Sequence, residues 1–166
     1  MDIHKIRHSL AHLLAAAVVG KFPDAQLGIG PVIEDGFYYD FKLPRPLTPD
    51  DLKELETSIR ELAKQKLVFK KKIVAPSDAK KLLKNQPLKL ELADELVKGK
   101  SKLSFYITGK DVFQDLCAGP HVKNSSEIDP DGFKLIKIAG AYWRGDSKRD
   151  QLQRIYGVAF NSKKEL

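Results

Sequence analysis

The stretch that decides the fold class is residues 3–41, IHKIRHSLAHLLAAAVVGKFPDAQLGIGPVIEDGFYYDF. From Ile3 to Lys21, apolar residues recur every three or four positions and stop before Phe22-Pro23, which predicts an amphipathic helix. Two apolar runs then flank Glu34-Asp35-Gly36, where glycine can supply a positive φ, and this pattern predicts a β-hairpin. A helix followed directly by a hairpin favours an α+β fold.

Further helices and strands are predicted after residue 41. Thr48 and Pro49 predict the start of a second helix that ends near Lys66. A strand is expected over 67–74, and a short helix capped by Ser77 is expected to stop by Asn85. Residues 88–93 alternate like a strand but have a helical composition, so both assignments stay open. Period-two alternation predicts three further strands, at 103–107, 133–138 and 152–158.

These elements together predict an α+β fold. Antiparallel sheets pack against the long N-terminal helix and further helices, with a cleft between two small lobes. Helices and hairpins occur in mixed order rather than as strict βαβ units, which favours this class. We expect residues 1–166 to form a single domain, within which the two lobes are sub-lobes.

Composition limits the class of protein. The chain has 29 Lys and Arg against 22 Asp and Glu, a net charge of +7, which is compatible with a polyanionic partner. The nearly uncharged run from Leu10 to Gly20 is about half of the ~20 residues that a membrane span needs. The first residues lack the order of a secretory signal, and one cysteine cannot form an internal disulfide. We therefore expect a cytoplasmic protein with no membrane association.

Three histidines occur four residues apart in the first predicted helix. Residues at this spacing share a helix face, so His4, His8 and His12 are neighbours. Small and apolar residues surround His8 and His12, which indicates that this pair points into the protein or a cleft, whereas His4 suits a solvated helix end. A buried structural pair and a functional site are both open readings of His8 and His12.

A second cluster of reactive residues lies in Asp115-Leu116-Cys117-Ala118-Gly119-Pro120-His121. Gly119-Pro120 excludes a regular helix there and predicts a loop or strand end. His-x3-His on a helix with Cys-x3-His on a loop could supply four ligands to a tetrahedral zinc. Without metal, the same groups could position a water and hydrogen-bond a polar substrate. Cys117 alone is more typical of a small buried residue than of a nucleophile.

Other enzyme classes lack support in the sequence. No Walker-type glycine-rich loop is present, and Gly28-Ile29-Gly30-Pro31 lacks the remainder of a dinucleotide fingerprint. No Gly-x-Ser-x-Gly elbow of a serine esterase is present either.

Five ordered motifs resemble the editing domain of bacterial-type threonyl-tRNA synthetases, which is related to that of alanyl-tRNA synthetases. They are HSLAHLL at 8–14, IGPVIEDGFYYD at 29–40, DLCAGPHV at 115–122, AGAYWRGD at 139–146 and LQRIYG at 152–157. The resemblance covers essentially the whole chain. The aminoacylation and anticodon-binding domains that follow in such synthetases lie outside it, and residues 161–166 resemble the start of the connection to the first of these. We therefore expect an excised part of a larger enzyme.

The resemblance implies hydrolysis of serine mischarged on threonine tRNA. By the resemblance, His8 acts on the attacking water and Lys89 on the oxyanion or the leaving 3′-terminal ribose. Asp115 would bind the α-amino group or hydroxyl of serine, and Tyr39 would shape the wall. The remaining residues implied to line the cleft are His12, Cys117 and His121. Taken alone, Lys89 would be assigned to an exposed strand.

The resemblance implies no cofactor for editing. Two alternatives remain: a zinc-dependent, alanyl-type aminoacyl-tRNA hydrolase with metal on His8, His12, Cys117 and His121, and a catalytically idle RNA-binding module. The implied partners are the acceptor end of threonine tRNA carrying serine and the remainder of the synthetase. The sequence departs from the family at Ala118, where the family usually has arginine.

Overall fold

The structure is a computed structural model that describes residues 2–166. It contains four α-helices, eight strands and two short 3₁₀ helices within these residues. The helices are α1 (Ile3–Lys21), α2 (Pro49–Lys64), α3 (Pro76–Leu82) and α4 (Pro87–Lys98). The strands are β1 (Gln26–Leu27), β2 (Val32–Ile33), β3 (Gly36–Lys42), β4 (Phe69–Val74), β5 (Leu103–Thr108), β6 (Phe113–Leu116), β7 (Phe133–Tyr142) and β8 (Gln151–Ala159). The 3₁₀ helices are Ser125–Glu127 and Trp143–Gly145.

The strands form two antiparallel sheets. The larger sheet has the order β1-β3-β8-β7, with β2 also paired to β3, and its register places Tyr39 opposite Ile155. The smaller sheet has the order β4-β5-β6 and places Tyr106 opposite Asp115. The predicted α+β class with antiparallel sheets is confirmed. The assignment of residues 1–166 to one domain with sub-lobes stays a prediction.

Helix α1 covers the larger sheet and forms the main core. Leu10, Leu13 and Leu14 are buried in one cluster with Phe37 and Phe41. A smaller cluster lies under the three-stranded sheet and helices α3 and α4, and it contains Val74, Ala79, Leu83, Ala93, Leu103, Phe105 and Leu116. α1 is buried on all sides from Ser9 to Ala15, and His12 lies against Tyr106 and Phe113 of the smaller sheet.

The start of α2 and the hairpin turn both form where the local sequence predicts them, with differences in detail. Thr48 accepts from the Asp51 N–H and the Asp51 carboxylate accepts from the Thr48 N–H, so a capping box starts α2. α2 ends at Lys64, two residues before the predicted end. In the hairpin, Asp35 rather than Gly36 has the positive φ, 60°. Gly36 is needed because a Cβ there would lie 1.9 Å from the Gly157 carbonyl oxygen.

Three local predictions were wrong, undecided or incomplete. α3 begins at Pro76, with Ala75 in the N-cap position and no side-chain cap, so Ser77 does not cap it. Proline occupies the first helical turn because its missing N–H has no partner there in any case. The undecided residues 88–93 are helical, in α4. The first apolar run of the predicted hairpin contains two short strands, β1 and β2, in place of one.

Candidate active site

The histidines of α1 and the Asp115–His121 loop meet at a cleft of about 820 Å³ between the two sheets. Of the residues predicted for the site, His8, His12, Tyr39, Lys89, Asp115 and Cys117 line it. His121 is buried behind the lining and touches it through Cys117. His4 is exposed at the start of α1, as predicted.

His8 is oriented by a backbone carbonyl. Its Nδ1 lies 3.1 Å from the Pro120 carbonyl oxygen, which can only accept a hydrogen bond. Nδ1 therefore carries the proton, and Nε2 presents a lone pair 3.5 Å from Cys117 Sγ. Burial lowers the pKa of His8 below 6.5, more than the Pro120 hydrogen bond raises it. His8 is thus a neutral imidazole whose acceptor atom at the cleft, Nε2, lies at hydrogen-bond distance from Cys117 Sγ.

Cys117 connects His8 to His121. Its Sγ lies 3.4 Å from His121 Nε2 and accepts from the Gly119 N–H at 3.3 Å. Burial raises the pKa of the Cys117 thiol to about 11, so the group is protonated at neutral pH. A neutral thiol is a weak nucleophile, and this favours the reading of Cys117 as a packed, hydrogen-bonding residue.

His121 is held by a residue that sequence reasoning missed. The Ser9 hydroxyl hydrogen-bonds to His121 Nδ1 at 3.0 Å and accepts from the Val122 N–H at 3.0 Å. Burial, together with His12 and His8, lowers the pKa of His121 far below 6.5. Ser9 immediately follows His8 on α1, and its polarity on a buried face was the signal available in the sequence.

Asp115 is the acidic centre of the cleft. Its Oδ2 accepts from the Tyr39 hydroxyl at 2.5 Å and lies 3.6 Å from His12 Nε2. Its Oδ1 lies 3.3 Å from Lys89 Nζ. Burial lowers the pKa of His12 well below 6.5, so His12 is neutral and its contact with Asp115 is not an ion pair. All four side chains are 5% exposed or less.

Some buried polar atoms in this group have no hydrogen-bond partner among residues 2–166. They are Nδ1 and Nε2 of His12 and Oδ1 of Asp115. Unpartnered buried polar atoms are costly, and they occur where a ligand or water completes the network. The carboxylate face toward Lys89 is therefore the best candidate for binding a polar substrate group.

Lys89 differs from the exposed strand lysine that its local sequence suggests. It lies in the first turn of α4, is 4% exposed, and places Nζ 5.5 Å from the centre of the Tyr39 ring. Its only ion pair within the described chain is with Asp115. A buried ammonium beside an open cleft is suited to stabilise developing negative charge.

The geometry fits three of the four predicted zinc ligands. The ligand atoms of His8, Cys117 and His121 lie within 4.8 Å of one another. Their S-to-N distances of 3.4 and 3.5 Å resemble the edge of a tetrahedral zinc site, roughly 3.5 Å. His12 lies outside this group because its ring is turned toward Asp115. The four-ligand zinc alternative stays a prediction.

Comparison with known proteins defines the class. Residues 103–156 match the family model described as "Threonyl and Alanyl tRNA synthetase second additional domain". This segment includes β5, β6 with Asp115, and the following loop with Cys117 and His121, and it supplies six of the 18 residues that line the cleft. Residues 103–156 therefore resemble the additional domain that these two kinds of aminoacyl-tRNA synthetase share.

The similarity to threonyl enzymes extends over nearly the whole chain. The chain is 52% identical to a threonine-tRNA ligase of Dehalococcoides mccartyi over 165 residues. This alignment covers 99% of the chain and 27% of the ligase. Corresponding ligases of Gloeobacter violaceus and Borrelia turicatae are 48% and 45% identical over 99% of this chain. The family recognised from the five motifs is confirmed. The chain spans about a quarter of the length of these relatives.

Proposed function

We propose that this chain hydrolyses the ester bond of seryl-tRNA mischarged on threonine tRNA, as the editing domain of a threonyl-tRNA synthetase. The observation that carries the proposal is the pairing of groups at one cleft. His8 Nε2 presents an unprotonated acceptor, and Lys89 presents a buried cation beside Asp115. Ester hydrolysis needs both a base for water and positive charge for the oxyanion.

The reaction begins with a water that hydrogen-bonds to His8 Nε2. As the water oxygen attacks the ester carbonyl carbon, one of its protons passes to Nε2, and a tetrahedral oxyanion forms near the Lys89 ammonium. The intermediate collapses by breaking the bond to the 3′ oxygen of the terminal ribose. That oxygen takes the proton from His8, so free serine and uncharged tRNA leave and His8 returns to its neutral form.

Asp115 is proposed to bind the serine moiety. Its Oδ1 has no hydrogen-bond partner, so it can accept from the α-ammonium group or the hydroxyl of serine. Tyr39 holds the other carboxylate oxygen, which leaves Oδ1 beside Lys89 Nζ at 3.3 Å. His12 packs against His121 at 4.3 Å between ring centres and completes the wall.

A separate hydrolytic site is useful because a single binding pocket discriminates weakly between serine and threonine. Serine lacks only the methyl group of threonine, a difference worth about 1–3 kcal/mol in a single pocket. A second site that admits serine and rejects threonine multiplies the discrimination. The reading as a domain of a tRNA synthetase accounts for the net charge of +7, which suits contact with tRNA phosphates.

We propose that this hydrolysis needs no metal. The competing candidate is a zinc-dependent hydrolase, favoured by the spacing of His8, Cys117 and His121. A zinc ion there would supply a bound water with a pKa near about 7. Metal analysis of protein purified without chelator separates the two. Less than about 0.1 zinc per chain with full activity supports the metal-free proposal, whereas one zinc per chain and inactivation by chelation contradict it.

Deacylation of seryl-tRNA by the 166-residue chain is the direct test. Turnover that falls by about 10²-fold in Lys89→Ala supports the proposed hydrolase. Binding of tRNA without turnover favours the idle RNA-binding module instead. The remaining proposals follow from the family: the partners are threonine tRNA and the rest of the synthetase, and the location is the cytoplasm. Among residues 2–166, no helix is long and apolar enough to cross a membrane.

A further inference from the structure

The motif Ala139–Asp146 takes no part in the proposed chemistry. It forms the end of β7 and the tip of the β7–β8 hairpin, which lies against helix α4. Trp143, at this tip, is 2% exposed and packs in a cluster with Leu88, Leu92 and Leu152. Leu88 directly precedes Lys89, so the hairpin contacts α4 at the turn that carries the buried lysine.

Polar contacts reinforce this packing. Glu91 accepts from Trp143 Nε1–H at 2.5 Å and from Arg149 at 2.6 Å. Arg144 donates through both terminal nitrogens to the Glu95 carboxylate, with one bond at 2.7 Å. The Trp143 and Arg149 hydrogen bonds lower the pKa of Glu91, so this carboxylate is ionised. These donors and acceptors are separated by about 50 residues in sequence, and they join two distant elements.

The hairpin backbone is shaped to make these contacts. Arg144 has φ 57° and Gly145 has φ 71°, so two consecutive residues adopt the left-handed region. This conformation is rare for an arginine and persists only where surrounding contacts hold it. Here the contacts are the buried Trp143 ring and the carboxylates of Glu91 and Glu95.

All contacted residues of α4 share one face. Leu88, Glu91, Leu92 and Glu95 follow the i, i+3, i+4, i+7 spacing and form a stripe along the helix. Lys89 follows Leu88 directly and lines the cleft, as do Leu92 and Glu95 of the stripe itself. Because Leu88 and Glu91 flank Lys89 in the same turn of α4, a shift of the stripe also shifts the backbone that carries Lys89.

We propose that Trp143, Arg144 and Arg149 form a hairpin clamp that sets the position of α4 and thereby holds Lys89 at Asp115. They are positioning residues, since none of them lines the cleft. The effect on rate rests on the proposed hydrolysis; the effect on the position of Lys89 does not. Misplacement of a catalytic group by a distant change costs up to about 10²-fold in rate.

The kinetic test uses Trp143→Phe, which removes the N–H and keeps an aromatic ring, and Glu91→Gln, which weakens the acceptor on the surface of α4. We expect kcat for seryl-tRNA hydrolysis to fall about tenfold with KM little changed. In a Lys89→Ala background, Glu91→Gln should cause no further loss. Additive losses in the double variant, or unchanged kcat in both single variants, would overturn the proposal.

The matched control is Lys42→Ala. It removes an ion pair of 3.5 Å to Asp150, on the same hairpin, without touching α4. We expect its kcat to stay within about twofold of the unmodified chain, as is usual for an exposed pair. A loss equal to that of Glu91→Gln would mean that general loosening of the hairpin, and not the contact with α4, sets the rate, and would contradict the clamp.

A readout independent of activity keeps the two proposals separate. With ¹⁵N-labelled lysine, the buried Lys89 ammonium should give a resolved signal, assigned by its absence in Lys89→Arg. Glu91→Gln should shift or broaden that signal, and Lys42→Ala should not. An unperturbed signal in Glu91→Gln overturns the clamp even if hydrolysis is observed. A perturbed signal without any turnover in the unmodified chain supports the clamp and contradicts the proposed function.

Discussion

The Tyr39 hydroxyl donates a hydrogen bond to Asp115 Oδ2 across 2.5 Å, and this bond joins β3 of the larger sheet to β6 of the smaller one. Both side chains are buried, and burial with the nearby Asp115 charge raises the pKa of Tyr39 well above 10. Tyr39 therefore stays a hydrogen-bond donor at neutral pH. The bond closes one end of the cleft and orients the carboxylate that is proposed to bind serine.

The first prediction concerns the proposed base. His8→Ala should lower the rate of seryl-tRNA hydrolysis by about 10²-fold or more, the usual loss when a general base is removed. Single-turnover deacylation measures the chemical step. The control is His4→Ala, one helical turn earlier, where the exposed imidazole lies 6.3 Å from the His8 ring centre and should be dispensable. Wild-type rates in His8→Ala would exclude the role given to this residue.

The second prediction links stability to pH. The pKa values of His12 and His121 are lowered in the native state, so below about pH 6.5 the unfolded chain binds protons that the folded chain does not. The free energy of unfolding should therefore decrease as pH falls from about 7 to 5, with a slope of up to about 1.4 kcal/mol per pH unit for each histidine.

Urea unfolding at several pH values measures this slope. His12→Gln should reduce the slope of the free energy of unfolding against pH by the contribution of one histidine. His4→Gln, at an exposed position, should leave this slope unchanged. A free energy of unfolding that stays flat between about pH 7 and 5 would contradict the neutral, buried state of these rings.

The third prediction concerns tRNA binding. Affinity should fall as salt rises, since phosphate contacts release counterions. Lys71 is exposed, and its register opposite Tyr106, which pairs with Asp115, puts it on the cleft side of the smaller sheet. Lys71→Gln should reduce the slope of log affinity against log salt by about one.

The matched control for the salt experiment is Lys53→Gln, on the exposed side of α2. It removes the same charge away from the cleft and should leave the slope unchanged. Equal slopes for all three proteins would mean that Lys71 makes no phosphate contact. A slope near zero in the unmodified chain would mean that its net charge of +7 is incidental to RNA binding.

Much of the site was predictable because its signals are local. The four-residue step from His8 to His12 put both on one helix face, and Gly119-Pro120 excluded a helix around Cys117 and His121. That these two segments meet followed from the resemblance to a family and not from spacing. The contact between His8 and Pro120 joins residues 112 positions apart, and no local pattern encodes it.

The assignment of Lys89 shows what local sequence leaves undetermined. Residues 88–93 alternate in polarity, yet they consist of good helix formers, so periodicity and propensity disagreed. The helix is selected by tertiary packing, because only a helical spacing puts Leu88, Glu91 and Leu92 together against Trp143. Trp143 lies 52 residues from Glu91, beyond the reach of any sequence window.

The last prediction concerns specificity between serine and threonine. Gly30 lies against the Tyr39 ring so closely that a Cβ there would be 2.2 Å from Tyr39 Cδ2, and both residues line the cleft. A wall this tightly packed discriminates by steric clash, which can cost more than a missing contact. We expect seryl-tRNA to be hydrolysed at least about tenfold faster than threonyl-tRNA, or about 1.4 kcal/mol in transition-state free energy. Tyr39→Leu should reduce this ratio by admitting threonine, whereas Lys89→Ala should slow both substrates and leave the ratio unchanged. Equal rates on the two esters in the unmodified chain would refute the editing assignment even if hydrolysis itself were observed.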